Sequence, residues 1–285
     1  MTTVAYRKER KRMISSTANS KVKRLVALTQ KAKARREAQC FVVEGTRMFC
    51  EAPADWIQEI YVSESFLHRC ESEANAEIRC ILNSHSYEVL TDTVFQKVSD
   101  TQTPQGVLCV LSMPQYELTE WIENWTADRK KTPLFVLLED LQDPGNLGTI
   151  LRAGEGAGVD GVIMTKKTAD IFNPKTIRAT MGSIYRVPFF IVDTLIGTVE
   201  LLKRKGVAVY AAHLDDSVTY DIPDYTQPTA FLIGNEGNGL RRETAACATQ
   251  YIKIPMAGQV ESLNAAMAAA ILMYEAARQK RKVFI

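Results

Sequence analysis

No C-x-x-C pair occurs in the 285 residues, and the six cysteines (Cys40, Cys50, Cys70, Cys80, Cys109, Cys247) are scattered. That argues against a zinc site or a disulfide framework and favours reduced core or surface thiols. Histidine is scarcer still. His68, His85 and His213 lie far apart without ligand spacing, so no metal is expected. Long apolar runs are missing as well. The richest, "LNAAMAAAILMYEAA", is broken by Asn264 and Glu275, and nothing is long enough to span a bilayer. No secretory hydrophobic segment stands near the start. No Walker-type G-K-[ST] follows a glycine loop, and no forward G-x-G-x-x-G directly follows the first strand of the second half. The first absence excludes a P-loop; the second weakens a dinucleotide-dependent oxidoreductase, the rival from another enzyme class. A cytoplasmic enzyme or binding protein, with no membrane partner, fits what remains.

What is present begins with 46% hydrophobic residues, ample for a core in one or two domains. Net charge is only +2 but is unevenly spread. Residues 1–36 hold twelve Lys/Arg against one acid, Glu9, while the remainder holds 23 basic and 32 acidic residues. A basic arm on a mildly acidic body points to a polyanion, with Arg7, Lys8, Lys11, Arg12, Lys21, Lys23 and Arg24 as candidate nucleic-acid contacts. Two other readings stand beside it. "KVKRLVALTQKAKARR" has the spacing of a solvated helix face, and an Arg-rich, acid-poor start also suits a transit peptide.

Along the chain, residues 14–112 alternate short elements in the manner of a compact α/β unit. "QCFVVEG", "EIYVS", "IRCIL" and "GVLCVL" read as strands; "TRMFCEA", "ESFLHRCESEA" and "TDTVFQKVSD" read as helices. Residues 113–132, with Pro114, Pro133 just beyond and a charge cluster, read as a linker with one helix around Leu118 to Trp125. From 133 to 285 a buried strand "LFVLLED" opens a strand–helix alternation, which predicts an α/β sheet with ligands beyond the carboxyl ends of its strands. A last helix is expected from about Ser262 to Lys280, with Leu263, Met267, Ala270, Ile271 and Tyr274 on one stripe.

Three clusters carry candidate chemistry. "FLIGNEGNGL" runs a buried strand into a turn with Gly234, Gly237 and Gly239. Such a turn lets backbone approach a ligand closely, or is only a tight turn with an exposed Glu236. A carboxylate there repels phosphate and suits a ligand of positive character. In "LEDLQDPGNLGTILRAGEGAG", Asp143-Pro144-Gly145 is a turn and Asn146 a candidate N-cap. Arg152 follows one to two turns later beside Gly154, Gly156 and Gly158. It either lies on a solvated face or holds a phosphate by a charge-assisted pair. In "IPMAGQVESLNAAMAAAIL", Ser262 is a candidate N-cap. The alanine-rich helix after it is either ordinary core or a surface for close packing of another backbone or subunit.

Together the order and spacing of "DPGNLGTILR", "LIGNEGNGL" and "IPMAGQVESLNAAMAAAI" resemble the SpoU/TrmH branch of the SPOUT methyltransferases over about 133–285. Residues 14–112 are similar, more weakly, to the small domain that often precedes that catalytic domain and resembles a kink-turn-binding ribosomal protein. "NSKVKRLVAL", "FVVEGTRMFCEA" and "TQTPQGVLCVL" carry that match. The resemblance implies a deep trefoil knot at the C-terminus, a homodimer, and S-adenosylmethionine as methyl donor to a ribose 2′-hydroxyl. The RNA is ribosomal by preference, with tRNA or a non-catalytic RNA-binding role on the same fold as alternatives. It implies cofactor contacts from Gly234, Asn235, Gly237, Ile254, Pro255, Met256 and Leu263. Arg152 is the implied catalytic residue, with Asn146, Glu236, Ser262 and Asn264 orienting substrate, ligand and Arg152. The donor, a sulfonium without phosphate, makes a glycine turn bearing Glu236 chemically reasonable.

Overall fold

The computed structural model describes residues 13–70, 76–127, 132–214 and 216–282. The chain divides into two compact units, Met1–Pro114 and Gln115–Ile285. Arg7, Lys8, Lys11 and Arg12 lie outside the described residues.

The first unit pairs helices α1 (Ser20–Gln30) and α2 (Ala32–Ala38) with a four-stranded mixed sheet. Its strands are β1 (Cys40–Glu44), β2 (Ile57–Ser63), β3 (Glu88–Leu90) and β4 (Val107–Ser112), in the order β1-β4-β2-β3. Helices α3 (Thr46–Cys50), α4 (Glu64–Cys70), α5 (Ala76–Ser84) and α6 (Asp92–Val98) fill the connections. Asn19 caps α1 by accepting from the Lys21 amide, and Val22, Leu25 and Leu28 drop into a core with Val42, Tyr61, Phe95 and Leu108. The strand expected at "IRCIL" is instead part of α5. Ile78 and Leu82 are buried while Cys80 is exposed, a one-turn spacing that a strand does not produce. The missing strand is the short β3. Of the three basic candidates on α1, Lys21 pairs with Glu88 and Arg24 with Glu59, so both charges are neutralised on the sheet. Lys23 is exposed on the other side of the helix.

The second unit is a seven-stranded, wholly parallel sheet covered on both faces. In chain order it runs α7 (Leu118–Ala127), β5 (Leu134–Leu138), α8 (Pro144–Ala157), β6 (Gly161–Thr165), α9 (Pro174–Thr180), β7 (Phe189–Val192), α10 (Leu195–Arg204) and β8 (Ala208–Ala212). Then come β9 (Val218–Thr219), β10 (Thr229–Ile233), α11 (Arg242–Ala245), β11 (Gln250–Lys253) and α12 (Ala265–Lys282). The strand order is β7-β6-β5-β10-β8-β11-β9. Every residue of β5, β6 and β10 is buried, which is why those strands read as unbroken apolar runs. Helices α7 and α10 build one face of the core with Phe135, Leu137 and Leu232; α12 crosses β5 and β10 and packs on α8, which in turn packs on α9.

The segment 113–132 is more than a linker. Ile122 on α7 is buried, and Trp121 and Trp125 meet Phe135 edge-on at 5.3 and 5.7 Å. Ile122→Ala is therefore expected to destabilise the second unit by roughly 2–5 kcal/mol, read from the midpoint of urea unfolding. A merely tethered helix would show almost no change.

Helix α12 begins three residues later than expected. Asn264 caps it, accepting from the Ala266 and Met267 amides, and Ser262 stands in the exposed loop before it. The face it buries is Ala266, Ala269, Leu272, Met273, Ala276 and Ala277. The expected stripe is the other one: Met267 is 56% exposed and Tyr274 46%. The helix thus has two apolar faces, one of them left partly exposed among the described residues. Among the described residues no helix is long and apolar enough to cross a membrane.

Candidate active site

Three loops leave the carboxyl ends of β8, β10 and β11 and, with the first turns of α12, line a cavity of about 680 Å³. In open parallel sheets this end gathers ligands, because loops diverge there and leave a crevice between strands. The first wall is the glycine turn. Asn235 and Gly239 exchange backbone hydrogen bonds at 3.0 and 2.9 Å and close it into a tight ring. The Asn235 side chain holds the ring from inside, accepting from the Gly237 and Asn238 amides at 2.9 and 3.0 Å. Its amide nitrogen donates to the Asp140 carbonyl at 2.8 Å and ties the turn to the end of β5. Gly234 has no room for a side chain. A Cβ there would lie 2.2 Å from the Gly239 carbonyl carbon and 2.4 Å from the Leu240 nitrogen. The glycine is thus required by the chain's own return, before any ligand is considered.

Glu236 bridges this turn to the start of α8. One carboxylate oxygen accepts from the Gln142 amide at 2.9 Å. The other accepts from the Asp143 amide and the Asn146 side-chain nitrogen, both at 3.0 Å. Burial by itself pushes this carboxyl up, but the Gln142, Asn146 and Asp143 donors outweigh it and hold the group below the ordinary glutamate range. A depressed folded pKa means the tie is fully present above the unfolded value of about 4.3 and is lost as pH falls through the lower folded value. Amide exchange at Gln142 and Asp143, corrected for intrinsic rates, is thus expected to stay slow through the ordinary glutamate range and to rise only below it. A Glu236→Gln chain should exchange quickly there already near pH 6, and matching profiles for the two chains would contradict the tie.

Asn146 is not the cap of α8. Asp143 is, accepting from the Asn146 amide at 2.8 Å, with Pro144 at the first helical position. That frees the Asn146 side chain to link all three motifs. It donates to Glu236, and its oxygen accepts from the Asn264 side chain at 2.9 Å. Asn264 meanwhile caps α12, so one chain of amides and a carboxylate fixes three segments that are 90 and 118 positions apart.

The cavity wall includes Gly234, Asn235, Glu236, Gly237, Ile254, Met256, Ser262, Leu263 and Asn264. The candidate cofactor residues therefore converge, with one exception: Pro255 is exposed and does not line the cavity. Arg152 does not line it either. It is exposed on α8 and makes no hydrogen bond or ion pair among the described residues. The glycines beside it serve other ends. Gly154 faces Val159 and the Met273 sulfur, a Cβ on Gly156 would strike the Tyr274 hydroxyl at 2.5 Å, and Gly158 is the left-handed residue that ends the helix.

The family description "SpoU rRNA Methylase family" matches residues 133–274, and "MRM3-like substrate binding domain" matches 19–109. The chain is 34% identical over 265 residues to the 23S rRNA (guanosine(2553)-2′-O)-methyltransferase RlmP of Bacillus subtilis, covering 92% of this chain and 98% of that protein. The chain belongs to the SpoU/TrmH family. An AdoMet-bound rRNA methyltransferase from Sinorhizobium meliloti matches it with a TM-score of 0.76 at 31% identity, covering 94% of this chain and 97% of the other. The SpoU methyltransferase AviRb from Streptomyces viridochromogenes does so with 0.79 at 26%, covering 93% and 99%.

For a SpoU/TrmH protein the motifs located most of the cavity, but not all. His213 and Leu214, after β8, also line it, and the His213 ring lies 4.9 Å from that of Tyr251. Their one signal in the sequence is a polar residue closing the apolar run "VAVYAAH", which spacing alone does not connect to the other motifs.

Proposed function

We propose that this chain methylates a ribose 2′-hydroxyl of ribosomal RNA, with S-adenosylmethionine held in the cavity of about 680 Å³. It is an S-adenosylmethionine-dependent RNA methyltransferase. The observation that carries the site assignment is the Glu236–Asn146–Asn264 link, which ties the first motif to the two that line the cavity. The wall suits the cofactor. Its volume lies within the roughly 300–1,000 Å³ of small-molecule sites. Ile233, Leu240, Ile252, Ile254 and Met256 give it apolar sides, and the turn 234–240 offers backbone edges without a lysine cradle for phosphate.

When bound, the cofactor supplies an already activated methyl group. What remains for the protein is to place the hydroxyl in line and ease its proton away. Arg152 is assigned the electrostatic part. A guanidinium stays protonated, so it stabilises developing negative charge on the oxygen rather than taking the proton. Asn146, Asn264 and Glu236 hold the loops that frame the reaction, while Ser262 lines the same wall. Glu236 has this orienting role because its oxygens are committed to three donors and not to the cavity.

The reading extends to architecture. The segment 254–264 shares the cavity with the turn 234–240 before α12 returns across β10, an arrangement consistent with a trefoil knot. The exposed Met267 and Tyr274 face supports a homodimer through α12, and sedimentation showing only monomer at working concentration would overturn that part. Residues 1–13 are taken as a basic arm, 14–112 as a ribosomal-protein-like RNA-binding domain and 133–285 as the methyltransferase domain. The cytoplasm is the proposed compartment, in keeping with six cysteines that form no disulfide.

The test is to incubate total rRNA and tRNA from cells lacking this protein with labelled S-adenosylmethionine, then map the modified nucleoside by mass spectrometry. A 2′-O-methyl group in rRNA is expected. Label confined to tRNA would replace the substrate, and label on a base would refute the reaction.

A further inference from the structure

We propose that Glu139 is a positioning residue for the cofactor loop: a buried carboxylate that clasps both ends of residues 234–240. It deepens the site assignment above and rests on it. Glu139 follows the last residue of β5 and is 1% exposed. Its backbone amide donates to the Ile233 carbonyl at 2.9 Å, which fixes where the loop begins. Its side chain fixes where the loop ends. One oxygen accepts from the Arg241 amide at 2.7 Å, the other from the Arg241 side-chain Nε at 2.9 Å and the Thr244 hydroxyl at 2.5 Å. Both ends of a seven-residue ring are therefore held by one residue of a different strand, 102 positions before Arg241 in sequence.

The loop needs such a clasp. Only its Asn235–Gly239 exchange is internal backbone pairing, and Glu236, Gly237, Asn238 and Gly239 are all exposed. Leu240, the residue before Arg241, lines the cavity together with the whole turn. Moving Arg241 outward would carry Leu240 with it and open the contact between Gly234 and the Gly239–Leu240 peptide. The carboxylate is suited to the task because it is acceptor-only and meets three donors; a charge-assisted set of this kind is stronger and shorter than neutral pairs. Glu139 lines no part of the cavity, so it acts through the loop and touches no reactant.

The test uses the full chain, with Glu139→Gln, which keeps the volume but turns a donor toward Arg241, and Thr244→Val, which removes one donor and keeps the shape. In the cofactor-free protein, amide exchange over 234–241 is expected to rise at least tenfold in Glu139→Gln and less in Thr244→Val, while α8 and α12 keep their protection. Calorimetry with S-adenosylmethionine should show affinity falling at least tenfold in the first variant. With an unmodified rRNA transcript, KM for the cofactor should rise while kcat at saturation stays within about threefold. Should Glu139→Gln fail to fold, Thr244→Val still decides: unchanged loop exchange in that variant overturns the clasp, and a rise confined to the loop supports it. Exchange in wild type distinguishes the two ideas. If adding S-adenosylmethionine protects none of 234–241, the site assignment fails; if it does protect them but the variants exchange as wild type, only the clasp fails.

Discussion

Gly234→Ala is expected to abolish S-adenosylmethionine binding and to destabilise the second unit, by more than about 3 kcal/mol if the loop does not rearrange. The reason is a backbone contact. The added methyl would sit 2.2–2.5 Å from three atoms of the Gly239–Leu240 peptide. Side chains can swing away from such a clash, but a peptide pinned on one side by the Asn235–Gly239 pairing and on the other by Arg241 cannot. Gly237→Ala is the control. Its Cβ would meet only the Asn235 oxygen, at 3.5 Å, an ordinary contact. Thermal unfolding of both variants isolates the backbone clash, and calorimetry of Gly234→Ala reads the loss of cofactor binding. A Gly234→Ala chain with wild-type stability and affinity would show that the return path of the turn is not where it is placed.

The second large effect concerns Arg152. Arg152→Ala should cut turnover roughly 10²–10⁴-fold, a loss of about 3–5 kcal/mol of transition-state stabilisation. Its cofactor affinity should be unchanged, because Arg152 does not line the cavity. Its exposure and lack of a partner among the described residues fit a side chain that meets its ligand only when RNA is present. The measurement is single-turnover methyl transfer to rRNA, with calorimetry for the cofactor alongside. Turnover at the wild-type rate would remove Arg152 from the mechanism. A parallel loss of affinity would mean that it supports the cavity rather than the chemistry.

How far the residues alone reach differs from element to element. β5, β6 and β10 were legible because burial on both faces leaves an uninterrupted apolar run. The helix at Ala76–Ser84 was not, since the segment 78–82, apolar apart from Arg79, fits a strand and a helix turn equally, and only the burial of Ile78 and Leu82 against exposed Cys80 separates them. The stripe of Met267, Ala270, Ile271 and Tyr274 on α12 is legible, but which face the sheet covers is not, because an alanine-rich helix offers two apolar faces and periodicity does not choose between them.

The sequence by itself determined the strand–helix alternation of the second unit, the three motifs in order, and hence the family and its cofactor. Those are local or cumulative properties, set by apolar spacing and by residue types at short intervals. Tertiary structure alone decided what each motif residue does. Asn146 links instead of capping, Glu236 braces the turn against the start of α8, Gly234 yields to a passing peptide, and Glu139 enters as a clasp. The physical reason is that a polar group's role is fixed by the partners within hydrogen-bond reach. In this chain those partners lie from 90 to 118 positions away and meet only once the parallel sheet has formed.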